Sequence, residues 1–586
     1  MKNKTKYPLV FLIPYLARYR SKLALGSLMV IMTVVSGMFS PWVLKYVVDS
    51  LQQALSSGNL PYYAALILGI SIVEGFFRFW MRRILIGVSR QVEYDLRNDF
   101  LAHVQKMSLS FLQSRSTGDI MSRATNDLNA VRSVLGPGIM YSMNTIALVI
   151  ISTSILLRLN WKLTLLAYIP LALVSVTVKK FGGQIHDRFE SIQEQFSTLS
   201  TKAQENLSGI RVVKAFAREE SEIDEFGRLN VDYIRRNVSL IRLWGIFYPL
   251  MTALLGMSSV ALLWFGGRQV IEQKLTLGEF VAFMGYLAML IWPTIAVGWV
   301  INIFQRGAAS MGRILEIMHA EPEIQDQPGA SIPDPVRGAL EVRDLSFQYP
   351  NSTDSVLHHI SLSAPAGSTL AIVGHTGSGK STLVNLIPRL FDPPPGTVFV
   401  DGQDVHQWPV SELRRIIGHV PQETFLFSET IRENIAFGSE SSMADEEVEW
   451  AAQVSQIAED IGAFSQRMQT YVGERGITLS GGQKQRVAIS RAVATLPKIL
   501  IFDDSLSNVD TYTEERILEQ LTQVMKDRTT ILVSHRISTV QKAHQIVVLK
   551  DGSIVERGTH ESLMELQGVY ADLYRKQLLE EELAIT

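Results

Sequence analysis

From the N-terminus to about residue 310, long uncharged apolar runs alternate with polar stretches that keep a helical period. Leu23–Leu44, Pro137–Leu157, Leu163–Val178, Leu243–Gly267 and Val281–Phe304 carry no charge over 16 to 25 residues each. A helix needs about 20 apolar residues to cross the hydrocarbon core of a bilayer. One such run could be a buried helix of a soluble protein. Five in one half of a chain predict membrane spans. A sixth span is predicted over Tyr62–Ile84, although SIVEGFFRFWMRR places Glu74 and Arg78 inside it. Four apart, these two share a helix face, and ionisable groups within a membrane pair with each other or face a cavity. The first reading is an ion pair that locks helices. A substrate-pocket role and a place near the water interface are the alternatives.

Six spans return the chain to the side on which it started. Lys2, Lys4, Lys6, Arg18, Arg20 and Lys22 precede the first span, which the positive-inside rule places in the cytoplasm. The loops 45–61, 158–162 and 268–280 are then expected outside, and the long connections 85–136 and 179–242 inside. These connections read as helices continuing beyond the bilayer. One is expected to turn round near SFLQSRSTGD and the other near SGIRVVKAFARE. The basic, proline-broken N-terminal stretch has no small-residue cleavage site and is expected to be retained.

Near residue 310 the texture changes. EPEIQDQPGASIPDPVRG, residues 321–338, is rich in proline and acid and reads as a linker. Beyond it, TLAIVG, KILIFDD, TTILVSH and QIVVLKDG alternate with helical stretches, the pattern of an α/β domain with a largely parallel sheet. A length of 586 residues is too much for one core. The net charge of −2 carries no nucleic-acid signal. The lack of any cysteine excludes disulfides, thiolate metal sites and a cysteine nucleophile.

The chemistry lies in the second half. GHTGSGKST, residues 374–382, follows an apolar strand and precedes the helical TLVNLI. It fits the phosphate-binding loop G-x-x-x-x-G-K-[ST]. The loop residues Gly374, Thr376, Gly377, Ser378, Gly379, Lys380, Ser381 and Thr382 are thus candidates to hold ATP. Glycines let backbone N–H groups close around phosphate, and the helix N-terminus adds partial positive charge. Lys380 is expected at the terminal phosphates and Ser381 at Mg²⁺. ILIFDD supplies Asp503, the expected second partner of Mg²⁺, followed by Asp504.

Between these elements stands LSGGQKQR, residues 479–486. With it, the whole chain resembles a half-transporter of the ATP-binding cassette superfamily, of the multidrug exporter type. The resemblance implies an all-α six-helix transmembrane domain over 1–320, the linker 321–338, and an α/β P-loop nucleotide-binding domain over 339–586. It implies that Tyr349 stacks on adenine, that Gln422 joins the metal site to the membrane helices, and that His535 sits near the terminal phosphate. YVGERG (471–476) resembles the segment that touches the intracellular loops, and SNVD (507–510) stands where the family has a loop crossing the dimer interface. Ser480, Gly481, Gly482 and Gln483 would complete the ATP site of a partner, since two such domains meet head to tail. The turning points near 111–119 and 210–218 resemble coupling helices.

In that family the acid after the Mg²⁺ aspartate is normally glutamate, which handles the attacking water. Asp504 is shorter by one methylene, roughly 1.5 Å of reach, and misplacement by about 1 Å can cost on the order of 100-fold in rate. The expectation is a slow, degenerate site with Asp504, His535 and Gln422 as its catalytic set, beside an intact signature. A heterodimer is favoured, with a partner half-transporter that carries glutamate; a homodimer with two slow sites is the alternative. The expected function is ATP-driven export of amphipathic drugs or lipids across the bacterial cytoplasmic membrane, with the N-terminus and nucleotide-binding domain cytoplasmic. An ATP-gated regulatory or channel-like subunit is the other reading. Met251, Met257, Met284, Met289, Trp292, Trp299 and Phe304 in the later spans are read first as packing or lipid-facing residues, though flexible methionines also suit promiscuous surfaces.

Overall fold

The computed structural model describes residues 7–52, 60–350, 352–439, 443–473, 476, 478–506, 511–534 and 536–585. They form two compact units, Met1–Gln105 with Thr117–Ala320, and Lys106–Ser116 with Glu321–Thr586.

The first unit is helical. Its main elements are α1 (Arg20–Gln52), α2 (Leu60–Val104), α3 (Ile139–Ser208), α4 (Glu219–Ala261) and α5 (Leu277–Met318). Among the described residues, five helices are long and apolar enough to cross a membrane, where the sequence predicted six spans. The difference lies in α3, which carries both Pro137–Leu157 (except its first two residues) and Leu163–Val178. Only Asn160 leaves the helical region, at φ −163° and ψ 104°. Its Oδ1 accepts the Leu163 N–H at 3.0 Å, and its carbonyl accepts the Thr164 hydroxyl at 2.8 Å. This is N-cap geometry, so the helix restarts at once and the loop expected over 158–162 shrinks to one residue.

Apolar side chains cover the outside of these helices. Leu68, Ile72, Ile150, Ile169, Val176 and Leu263 are all more than half exposed. Contiguous apolar surface of that kind is costly in water and stable against lipid, and helices satisfy their backbone polar groups internally. Inside, Met38, Leu156, Leu163, Leu262, Phe283 and Leu290 share one core, and the Tyr286 hydroxyl donates to the Met38 carbonyl at 2.9 Å. Glycine sets the approach of α1 to α2: a Cβ on Gly26 would lie 2.5 Å from Leu85 Cδ2, the small-residue contact expected between membrane helices.

The long helices reverse where the sequence placed the turns. After α2 a short helix, Leu109–Gln113, is capped by Ser108, and helix resumes at Thr117–Ser122. Ile210–Ala215 separates α3 from α4. Lys106–Ser116 belongs to the second unit. There Ser108 donates to Glu323 at 2.7 Å, Ser110 bonds the same carboxylate, and Leu109 packs on the apolar core.

The second unit has two sheets. In chain order the strands are β1 (Leu340–Phe347), β2 (Leu357–Ala364), β3 (Thr369–Val373), β4 (Val398–Val400) and β5 (Gln403–Asp404). They continue with β6 (Ile417–Val420), β7 (Ile499–Asp503), β8 (Thr529–Val533), β9 (Gln545–Lys550) and β10 (Ser553–Gly558). One sheet runs β2-β1-β4-β5, all antiparallel; the other runs β10-β9-β3-β8-β7-β6, parallel except for β10. Every residue of β3, β7 and β8 is buried, as in parallel strands covered on both faces. That is why their sequences read as largely apolar runs. The antiparallel sheet was not predicted: β1 and β2 mix buried with exposed positions, and β4 and β5 have only three and two residues. The register pairs Asp503 with Val533, Phe502 with Val420 and Ile372 with Val533. The carboxyl ends of β3, β6, β7 and β8 therefore meet along one edge, the usual ligand position in open α/β sheets.

Candidate functional site

The chain leaves β3 at Val373, turns through 374–379 and enters α6 (Lys380–Leu386). Two glycines make the turn possible. Gly374 has φ +154°, and a Cβ there would fall 2.2 Å from the Leu549 carbonyl oxygen. Gly379 has φ +99°, and its Cβ would fall 2.7 Å from Leu357 Cδ2. Any side chain at either position would both strain the backbone and clash.

A pocket of about 250 Å³ opens at this edge. Thr376, Gly377, Gly379, Lys380, Ser381 and Thr382 line one side; Gln422, Asp503 and Asp504 also line it, together with Val356 and Val533. Lys380 is only 6% exposed, and its ammonium donates to the Gly374 and His375 carbonyls at 2.8 Å each. Burial pushes its pKa down, against the pull of Asp504 and Asp503. A buried cation beside backbone N–H groups and a helix N-terminus suits a polyanion.

The Ser381 hydroxyl donates to Asp503 Oδ1 at 3.0 Å, so two hard oxygen donors converge. Among the described residues no group of three or more His, Cys, Asp or Glu side chains could hold a metal by itself. Sparse protein ligation of this kind fits Mg²⁺, which takes one or two carboxylates and shares substrate phosphates.

Asp504 follows the strand tip and is buried. Its N–H donates to the Val533 carbonyl at 2.9 Å, and its φ is +47°. Aspartate enters this left-handed region more readily than longer side chains do.

The other expected residues take different positions. Tyr349 stands beside the pocket rather than on its lining, its hydroxyl 2.9 Å from Thr382 Oγ1 and its ring edge-on to Phe347 and Phe391. Gly374 and Ser378 shape the loop from behind; Ser378 is buried. Ser480, Gly481, Gly482 and Gln483 do not line the pocket. They open the helix α7 (Gly481–Ala494) as a capping box: Ser480 Oγ accepts the Gln483 N–H at 3.2 Å, and the Gln483 side chain accepts the Ser480 N–H at 3.0 Å. Ser480 and Gly481 are exposed. Tyr471 pairs with Thr430 in an isolated bridge. His535, residues 507–510, and Glu474 and Arg475 of YVGERG lie outside the described residues. Sequence reasoning missed Val356 and Val533. Val533 could have been found as the last residue of a strand parallel to ILIFD; Val356 left no signal.

Residues 23–294 match the ABC transporter transmembrane region family, and residues 357–507 match the ABC transporter family. The chain is 36% identical to the probable multidrug resistance ABC transporter ATP-binding/permease protein YheI of Bacillus subtilis, over 92% of this chain and 93% of that protein. It is 34% identical to an ATP-dependent lipid A-core flippase of Desulfotalea psychrophila, over 97% of this chain and 98% of that one. Among solved structures, a bacterial Atm1-family ABC exporter with ATP bound matches with a TM-score of 0.78 and 28% identity, covering 96% of this chain and 99% of the other.

Proposed function

The chain belongs to the ABC transporter family, and from that premise we propose that it is one half of an ATP-driven exporter of amphipathic drugs or lipids. It is a multi-pass membrane protein with an ATP-binding domain, and its ATPase is coupled to transport. The observation that carries the proposal is the convergence of Lys380, Ser381, Gln422, Asp503 and Asp504 on one pocket, in a chain whose other unit presents long apolar helices.

In this reading residues 1–320 form the transmembrane domain, with six spans counted across the break at Asn160. The linker is 321–338 and the nucleotide-binding domain 339–586. The N-terminus and the nucleotide-binding domain face the cytoplasm of a bacterial cell. ATP lies on Gly374–Thr382, with Lys380 at its terminal phosphates and Tyr349 at its adenine. Ser381 and Asp503 would hold Mg²⁺, with Gln422 at the same edge; when bound, the ion neutralises charge on the terminal phosphates. Asp504 and His535 act on the attacking water. Ser480–Gln483 complete the partner's site, which agrees with the exposure of Ser480 and Gly481 and with the absence of all four from the lining of this chain's own pocket. The grouping of Lys106–Ser116 with the nucleotide-binding unit supports a role for that turn in passing motion to the helices.

Asp504, in place of a longer glutamate, supports a degenerate site on this chain and a heterodimer whose partner carries the effective acid. The same residue keeps two other readings open, a homodimer with two slow sites and an ATP-gated regulatory subunit. Pull-down of the tagged chain is expected to recover a second half-transporter with glutamate after its Mg²⁺ aspartate. Recovery of this chain alone, in a complex that hydrolyses ATP rapidly, would defeat the heterodimer. Vectorial movement of an amphiphile by the reconstituted complex should require hydrolysable ATP. Movement that a non-hydrolysable analogue supports equally well would select the gated channel instead.

A further inference from the structure

We infer that the membrane unit takes amphipathic anions in preference to cations, and that Arg82 receives their head-group. The inference rests on the exporter reading above. Within the first unit a cavity of about 290 Å³ lies among α1, α2, α3 and α5. Its walls include Met38, Met81, Met140, Leu148, Met289 and Trp292. Its charged groups are one carboxylate, Glu74, and two guanidiniums, Arg78 and Arg82. Glu74 is already engaged by Arg78, one helical turn on. Gly37 on α1 leaves room for that pair: a Cβ there would already stand 3.5 Å from the Glu74 carboxyl carbon. Arg82 makes no ion pair and no hydrogen bond among the described residues. Thr33, Tyr141 and Asn144 add neutral polar groups to the lining, so the cavity is amphipathic, with one uncompensated positive pole.

A second observation extends it. Arg78 and Arg82 also line an open groove of about 560 Å³ along α2, together with Arg83 and Arg90 and no carboxylate. Gly75 and Gly87 keep this groove open, with nothing within 4 Å of where their Cβ atoms would stand. The two arginines common to both spaces thus mark their junction. A head-group moving along the groove meets guanidinium at successive turns and reaches the cavity at Arg82.

An ionised side chain inside a membrane unit calls for a partner, and guanidinium matches phosphate, sulfonate or carboxylate through a planar fork of donors. The four methionines of the wall adapt to tails of different shape. A cationic amphiphile would find like charge at the polar end, and its apolar end would gain nothing extra. Arg82 lies about 33 Å along α2 from Leu60 at 1.5 Å per residue. In the proposed orientation this is the cytoplasmic edge of the bilayer, where cargo for export is loaded.

The test is equilibrium binding of radiolabelled decyl phosphate and decyltrimethylammonium to the intact transporter in phosphatidylcholine nanodiscs, net of empty discs. The phosphate is expected to bind about tenfold more tightly, the worth of one charge-assisted hydrogen bond. Arg82→Ala and Arg82→Gln should each remove that advantage, Arg82→Lys should restore most of it, and Arg82→Glu should reverse it. Monodisperse elution of each variant shows that it has folded. Competition by added phosphatidylglycerol would assign the head-group to a phospholipid, and its absence to a free organic anion; either result keeps the inference. Equal or tighter binding of the cation, or unchanged phosphate binding in both Arg82→Ala and Arg82→Gln, overturns it. If ATP-dependent transport of the cation accompanies that result, the exporter reading survives alone. If the anion preference holds but no amphiphile is moved, the exporter reading fails instead.

Discussion

Asp504 combines a short side chain with a left-handed backbone, and the two facts have opposite consequences for its replacement. Asp504→Glu restores about 1.5 Å of reach but places a longer side chain at φ +47°, where non-glycine residues pay roughly 1–2 kcal/mol. The expected result is a small rate gain at this site, with a slightly lower melting temperature than the parent. A large gain with unchanged stability would mean that the backbone relaxes freely there. Lys380→Ala removes the buried cation of the pocket and should reduce photolabelling of this chain by an azido-ATP analogue at least about tenfold, the scale of a charge-assisted contact. Unchanged labelling would place ATP elsewhere. His406 supplies a residue-scale test of stability. It is buried, with Nδ1 2.7 Å from Asp404 and Nε2 3.5 Å from Asp392. The hydrogen bond to Asp392 raises its pKa, burial opposes the rise, and Asp404 adds to it. A raised histidine pKa stabilises the fold fully below the unfolded value of about 6.5 and loses that contribution as pH climbs through the folded value. His406→Gln should therefore lower the melting temperature more at pH 6 than at pH 8.5, at about 2–4 °C per kcal/mol for a domain of this size. Burial pushes Asp392 and Asp404 up, but their bonds to His406, Arg389 and the backbone hold both below the usual carboxylate range. Their share is lost only in acid, below about pH 3.9.

At the scale of elements, the break in α3 shows what a sequence conceals. Apolar runs separated by RLNWK read as two spans and a loop, because the intervening charges and Asn160 look like turn residues. The backbone needs only one residue out of helix there, since Asn160 caps the helical stretch that begins after it. Asn160→Ala should cost about 1 kcal/mol, the usual worth of an N-cap, and Asn160→Asp much less; thermal unfolding of the two variants compares them. Equal losses would show that the amide's bond to Gln269 matters more than the cap. The parallel strands β3, β7, β8 and β9 were legible because burial on both faces leaves few polar residues inside them, whereas the short β6, with Gly418 and His419 inside it, was not. The antiparallel sheet was not, since β4 and β5 are too short to show a period. The phosphate loop was legible down to single residues because only glycine fits at 374 and 379. The conformation of Asp504 was not, because its backbone is held by a bond to β8, which is distant in sequence.

For the whole molecule the question is how the signature and the pocket are divided between subunits. Ser480–Gln483 do not line the pocket of Lys380 and Asp504, and on the proposed reading each set acts in a site that a second subunit would complete. In an asymmetric complex, this chain's signature serves the fast site and its Asp504 the slow one. In a homodimer, both serve both sites. Steady-state ATPase of the complex that copurifies with the tagged chain separates these cases. In the proposed dimer Gly481→Asp would set a carboxylate against ATP phosphate, where like charges repel strongly once water is excluded. It should lower turnover on the order of 100-fold or more, as loss of preorganised phosphate contacts does, while Asp504→Ala should leave at least about half of it, since misplaced acids contribute little. If Asp504→Ala abolishes turnover as fully as Gly481→Asp does, Asp504 is a working base and the site on this chain is not degenerate.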